Sequence, residues 1–230
     1  MGNKRILVAV PTFGPVDPRH VVTAFMIAKF PGTELMQVRR SMPDKARNGL
    51  VDQLLKMKQD YILFLDDDMV VEGAHPAALV EALLKEMEKD PSIGIIAPRA
   101  YKRTTPFFPC VFKKAGEAKY KPMADSGKGL VEVDAIHCAA TMIRPSVFGK
   151  VKRPWFEFLK IGDVELGEDI SFTRKAKEAG VKIVCHTDIE IQHISDPVLI
   201  GEEAFKAYNA IAGPDEKVAE DPPKPQIVRP

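Results

Sequence analysis

Tyr61-Ile-Leu-Phe-Leu-Asp-Asp-Asp-Met69 is an apolar run that ends on three consecutive carboxylates. An uninterrupted apolar run of this length predicts a strand buried on both faces, as in a parallel sheet covered by helices. The chain opens on the same signal, Arg5-Ile-Leu-Val-Ala-Val10, stopped by Pro11. Thr33–Val38 and Ile93–Ala97 predict two further strands. Between the strands, spacing and breaker residues predict three helices. The first covers about 18–29, with Pro18 near its first turn and Pro31 beyond its end. The second runs from a capping Asp44 to about Lys58, with Leu50, Leu54, Leu55 and Met57 near helical spacing. The third covers His75–Lys89. This half reads β-α-β-α-β-α-β, which calls for parallel pairing through right-handed crossovers. Ligands in such sheets bind beyond the carboxyl ends of the strands. Pro11-Thr12 and Asp66–Asp68 both fall there, so both can line one crevice.

The second half is less regular. Phe107–Lys113 and Leu130–Val133 read as strands, and the polar stretch Lys114–Lys128 between them reads as a loop. Ala135–Ile143 is a small-residue-rich, mostly apolar segment. Glu168–Ala179 predicts a helix stopped by Gly180, Lys182–Cys185 a strand, and Gly201–Ala212 a last helix. The expectation is one α/β domain over residues 1–212, with a first half at 1–100 and a second at 101–212. Residues 213–230 carry five prolines and few apolar groups, so a flexible tail is expected there.

Composition narrows the function. Charged residues make up 28% and apolar ones 45%, which fits neither a disordered chain nor a membrane bundle. A net charge of +1 argues against bulk binding to nucleic acid or anionic lipid. No apolar run approaches the roughly 18 residues of a spanning helix, so no transmembrane segment is expected. Met1–Arg5 leads into a strand pattern, not a signal-peptide core. Cys110, Cys138 and Cys185 are far apart, odd in number and fit no zinc spacing or disulfide framework. A reducing, cytoplasmic compartment is the expectation they raise.

The acidic cluster points to chemistry. Three adjacent carboxylates at a buried strand end repel one another, and a bound Mn²⁺ or Mg²⁺ resolves that because hard divalent ions take carboxylate oxygens. A solvated acidic turn is the alternative. The cluster's place at the ligand-binding edge of the sheet favours a site.

Four pieces then occur in order: Pro11-Thr12 after the first strand, Ala46-Arg47-Asn48 in the helix before the acidic strand, Leu65-Asp-Asp-Asp-Met69, and Gly167-Glu-Asp-Ile-Ser-Phe172. Over about Lys4 to Ser195 this set resembles the family 2 glycosyltransferases of the GT-A fold. The resemblance implies a Rossmann-like mixed sheet, mainly parallel, with helices on both faces. It implies a nucleotide-sugar donor, a divalent metal and an acceptor that is a glycan, a lipid-linked molecule or another hydroxyl compound. It further implies that Asp66 touches the ribose, that Asp68 binds the metal bridging the diphosphate, and that Asp67 adds to either role. Pro11 and Thr12 match the nucleoside pocket, and Arg47 matches a residue near the base and phosphates. Ala139 and Ala140 would leave room for the donor sugar. Asp169 would be the general base of an inverting transfer, with Glu168 orienting the acceptor or capping the helix. His193 lies in a segment where some GT-A enzymes place an additional metal ligand.

The residues allow other readings beside these. Glu168 and Asp169 also complement a helix dipole. His137 reads as a core residue. Trp155 and Phe156 are candidates for stacking on an acceptor sugar, or for ordinary packing. The basic stretch from Lys113 to Lys128 is a solvated loop or a lid over a diphosphate. Asp66-Asp67-Asp68-Met69-Val70 also satisfies the Asp-x-Asp-x-Val signature of haloacid-dehalogenase-like phosphohydrolases, with Asp66 as nucleophile and Asp68 as acid/base. That signature normally ends the first strand, whereas two β-α units precede it here. A non-catalytic sugar-nucleotide-binding module is the third reading.

Overall fold

A computed structural model describes residues 4–73, 75–124, 127–195 and 198–211. The tail expected at 213–230 lies outside the described residues. The first half comprises β1 (Ile6–Thr12), α1 (Pro18–Ala28), β2 (Thr33–Arg39), α2 (Pro43–Met57), β3 (Tyr61–Leu65), the two-residue β4 (Met69–Val70), α3 (Pro76–Lys89) and β5 (Ile93–Arg99). The second half comprises β6 (Val111–Lys114), β7 (Tyr120–Pro122), β8 (Leu130–Glu132), β9 (Ala135–Ile136), β10 (Ala140–Ile143) and α4 (Pro145–Lys150). It continues with β11 (Leu159–Ile161), β12 (Val164–Leu166), α5 (Glu168–Glu178), β13 (Lys182–Glu190), β14 (Gln192–Ser195), β15 (Val198–Ile200) and α6 (Glu202–Ile211).

The central sheet has seven strands in the order β2-β1-β3-β10-β5-β13-β8. Strands β1, β2, β3, β5 and β13 run the same way, while β10 and β8 run against them. The fold is therefore mixed α/β with a mostly parallel sheet, as expected. Strands β1 and β3 are apolar on both faces because both faces are covered. Ile6, Val8 and Val10 of β1 and Leu63 and Leu65 of β3 pack with Ile27 of α1 and Leu79 and Leu83 of α3. The intervening Leu7, Ala9, Ile62 and Phe64 pack with Leu50 and Leu54 of α2, Val147 of α4 and Phe172 of α5.

Three details differ from the sequence reading. Strand β10 inserts antiparallel between β3 and β5, so those two strands do not pair directly. Its four residues Ala140–Ile143 are all buried, which suits a central strand as well as a packed coil. Helix α2 starts earlier than expected: Met42 is the N-cap, Pro43 opens the helix, and Asp44 lies in its first turn. The stretch expected as a loop at 114–128 contains β7, which pairs with β6.

Asn48 ties α2 to the segment that follows α4. Its Nδ2 donates to the carbonyls of Asp44 and Phe156, both at 2.7 Å. Its Oδ1 accepts from the backbone N–H groups of Trp155 at 3.0 Å and Phe156 at 3.3 Å. Asn48→Ala removes the partner of the main-chain groups at Trp155 and Phe156, and the expected loss is about 1–3 kcal/mol. Urea unfolding of the two proteins measures it. An unchanged midpoint would show that the staple contributes nothing.

Candidate functional site

The carboxyl ends of β1 and β3 and the N-terminal ends of α2 and α5 converge on a cavity of about 340 Å³. Pro11, Thr12, Arg47, Asp66, Asp67, Asp68, Glu168 and Asp169 all line it, together with Phe13, Ser41, Pro43, His137 and Gly167.

At its centre is a buried guanidinium. Arg47 Nη2 donates to both oxygens of Asp66, at 2.8 and 3.1 Å, and Nε donates to Glu168 Oε1 at 3.1 Å. The Arg47 side chain is 4% exposed. Burial pulls its pKa down, but the surrounding carboxylates of Asp66, Glu168 and Asp169 outweigh that and push it above the usual arginine value. The guanidinium carbon lies 5.4 Å from the Phe64 ring centroid. Nη1 is buried without a hydrogen-bond partner.

The second carboxylate pair opens α5. Glu168 and Asp169 are both buried, at a helix end whose dipole favours negative charge. Burial, and then the neighbouring Asp169 charge, raise the Glu168 pKa despite Arg47. Asp169 Oδ1 accepts from the Ile170 N–H at 2.6 Å, and Oδ2 lies 3.1 Å from His137 Nε2. Gly167 provides the room: a Cβ there would come within 2.9 Å of Asp169 Oδ1.

Asp67 and Asp68 form the remaining part of the cluster. Burial raises the Asp67 pKa first, and the adjacent charges of Asp68 and Asp66 raise it further. Asp68 Oδ2 accepts from Arg103 Nη1 at 2.9 Å, and its carbonyl accepts from the Ile194 N–H at 2.7 Å. Among the described residues, no three His, Cys, Asp or Glu side chains form a ready metal cage. The donor set instead suits a hard divalent ion held by one or two carboxylates and completed by phosphate oxygens. His193 packs beside this strand end, since β14 pairs with β4 and His193 lies opposite Met69. Its Nδ1 donates to the Tyr101 carbonyl, which leaves Nε2 as the acceptor. Burial lowers its pKa.

Several expectations need correction. Trp155 and Phe156 are 4% and 0% exposed and belong to the core, so neither presents a ring face to a sugar. Trp155 Nε1 donates to the Phe148 carbonyl, and Phe156 stacks on Phe172 at 4.3 Å. An exposed aromatic of this region is Phe158, on a second cavity that shares Gly167 with the lining of the first. Ala139 and Ala140 are also core residues. Ala139 accepts from the Asp66 N–H and Ala140 pairs with Leu65, so they brace the acidic strand end without lining the cavity. His137 is the reverse case: expected in the core, it lines the cavity against Asp169. Its neighbours in sequence, buried Ile136 and Cys138, gave no hint of that. The three cysteines are buried and unpaired. Among the described residues, no helix is long and apolar enough to cross a membrane.

No protein-family model matches the chain, and no curated protein matches it. Solved structures do. A197 from STIV superposes with a TM-score of 0.56 at 21% identity, over 84% of this chain and 86% of that one. UDP-glucose pyrophosphorylase complexed with UDP-glucose superposes with a TM-score of 0.51 at 10% identity, over 90% of this chain and 98% of that one. A glycosyltransferase involved in the glycosylation of the major capsid of PBCV-1 matches too loosely to bear on the fold, with a TM-score of 0.45 at 12% identity over 80% of this chain and 82% of that one. At these identities the first two likenesses are ones of fold.

The Arg47 network yields a pH-dependent prediction. Arg47→Met leaves Asp66 and Glu168 buried without their cation and costs about 3–5 kcal/mol at neutral pH. A carboxyl whose folded pKa lies above its unfolded value holds its proton more tightly when folded, so stability is lost as pH rises through that interval. The wild-type shift of Glu168 already has this sign, and removing Arg47 enlarges it. The defect should therefore shrink as the pH falls toward about 4, near the unfolded carboxyl range. Denaturant midpoints across that range check it. A defect independent of pH would mean that lost packing, not lost charge, is responsible.

Proposed function

We propose that this chain is a metal-dependent glycosyltransferase that moves a sugar from a nucleotide-sugar donor to an acceptor hydroxyl, inverting the anomeric centre with Asp169 as general base. The observation that carries the reading is the convergence of the buried Arg47–Asp66–Glu168 network with Asp67, Asp68 and Asp169 on one cavity at the carboxyl edge of the sheet. In the pyrophosphorylase, a fold of this kind holds UDP-glucose, which is in keeping with a nucleotide-sugar donor.

Each residue has a role that its surroundings suit. Arg47 fixes the Asp66 carboxylate in one orientation, and the lone pairs that Asp66 keeps can accept from the ribose hydroxyls. Pro11 and Thr12 wall the nucleoside. Asp68 holds the cation, Mn²⁺ or Mg²⁺, and Asp67 adds negative charge beside it. When bound, that ion stabilises the charge growing on the departing diphosphate. His193 is a second ligand in this reading: its tautomer and its burial-lowered pKa supply the neutral ring nitrogen that a metal requires. Asp169 takes the acceptor proton. Glu168, tied to Arg47, stays structural. The acceptor comes from the neighbouring cavity, where exposed Phe158 takes the stacking role expected of Trp155.

The phosphohydrolase reading requires Asp66 as a free nucleophile. Both of its oxygens are engaged by Arg47, and β3 is the third strand of the chain. Transfer is the better supported chemistry.

Thermal shift with UDP, GDP, CDP and dTDP, each with and without Mn²⁺, tests binding. At least one should stabilise the protein more with Mn²⁺ than without, and Asp68→Asn should remove that increment. With the active donor, Asp169→Asn should keep binding and lose turnover by roughly 10²-fold or more. If no nucleotide stabilises the protein in either condition, the reading fails. Asp66-dependent hydrolysis of an aryl phosphate would replace it with phosphoryl chemistry, and binding without turnover would leave a binding module.

A further inference from the structure

The acidic cluster holds two arginine–aspartate pairs of similar length and opposite character. Arg47–Asp66 closes at 2.8 Å with side chains 4% and 16% exposed, and is fixed by burial. Arg103–Asp68 closes at 2.9 Å with side chains 55% and 29% exposed. Arg103 belongs to the turn between β5 and β6, 35 residues away in sequence from Asp68. The base of that turn is held by the Tyr101–Pro109 bridge and by Lys102 N–H donating to the Phe108 carbonyl. Beyond this base, Arg103, Thr104 and Thr105 are exposed. The Tyr101 carbonyl also receives His193 Nδ1, so the turn is anchored on the element beside Asp68.

We infer that Arg103 is an exchangeable counter-ion: it neutralises Asp68 in the ligand-free protein, yields Asp68 to a divalent cation, and then turns to the diphosphate of the donor. An exposed ion pair contributes little, so its release costs little. A divalent ion on Asp68 repels the guanidinium, and the nearest new anion is the phosphate group that arrives with the metal. A guanidinium suits that partner because its planar donors engage phosphate oxygens in pairs. Arg103 and the metal thus compete in the free protein and act together in the complex. The second half of this inference rests on the nucleotide-sugar reading, whereas the competition for Asp68 stands without it.

The test uses the full chain and two probes, Mn²⁺ alone and inorganic pyrophosphate in the presence of Mn²⁺. Arg103→Met removes the competing cation, so Mn²⁺ alone should bind about two- to fivefold tighter, the range set by exposed ion pairs. Pyrophosphate with Mn²⁺ should bind roughly three- to tenfold weaker, since a charge-assisted contact is lost. Arg103→Lys, which keeps the charge, should restore most of the wild-type Mn²⁺ affinity. In an Asp68→Asn background, Arg103→Met should have no effect on Mn²⁺. A merely structural role for Arg103 does not move the two affinities in opposite directions. Unchanged or weaker Mn²⁺ binding in Arg103→Met, or no measurable binding by either protein, overturns the competition. Tighter Mn²⁺ with unchanged pyrophosphate overturns the hand-over to the diphosphate. Failure of every nucleoside diphosphate to bind, with the Mn²⁺ effect intact, would instead count against the glycosyltransferase reading.

Discussion

The site depends on one buried cation. Arg47 leaves α2, receives Asp66 from the end of β3 and Glu168 from the start of α5, and so fixes three elements that are up to 121 residues apart in sequence. A buried ion pair returns little net stability, because desolvation offsets most of its Coulombic gain. Its effect here is positional. With Arg47 in place, one cation sits between a strand-end carboxylate, Asp66, and a helix-end carboxylate, Glu168, and holds the two elements together. The neighbouring Asn48 contributes from the same helix by holding the segment at Trp155 and Phe156, and the Phe156 ring packs near the guanidinium and against Phe172.

Charge is balanced unevenly across the cluster. Asp66 has a permanent partner, Asp68 an exposed one, and Asp67 carries a pKa raised by burial and by both neighbours. The negative excess therefore lies at Asp67 and Asp68, away from Arg47. A divalent ion and its phosphate ligands would reduce repulsion there, and α5 presents Asp169 to the same cavity. The carboxylates of the cavity come from different parts of the chain: Asp66 and Asp68 follow β3 in the first half, and Asp169 opens α5 in the second.

What the sequence displayed was what periodicity and breakers encode. The apolar runs at Ile6–Val10 and Tyr61–Leu65 are strands because both sheet faces are covered, and the acidic cluster falls at a strand end for the same reason. Arg47, Asp66, Asp67, Asp68, Glu168 and Asp169 were legible as an ordered set and meet in one cavity. The rest depended on long-range packing. Ala140–Ile143 gives no sign that it pairs between β3 and β5, since a short buried apolar run looks the same as strand or coil. Trp155 and Phe158 are both aromatic residues near a site, and only the fold buries one and exposes the other. His137 and Arg103 reach their carboxylate partners through loop geometry that no local pattern encodes.

The central claim is that a divalent ion and a nucleoside diphosphate occupy the cavity around Arg47 and Asp66 together. Anomalous scattering from Mn²⁺ in crystals grown with Mn²⁺ and the stabilising nucleoside diphosphate locates both at once. The account predicts one strong peak at roughly 2–2.5 Å from an Asp68 carboxylate oxygen, the usual range for hard divalent ions on oxygen, with phosphate oxygens completing its shell and the ribose on Asp66. A Mn²⁺ peak away from Asp68, or a nucleotide bound outside this cavity, would contradict it.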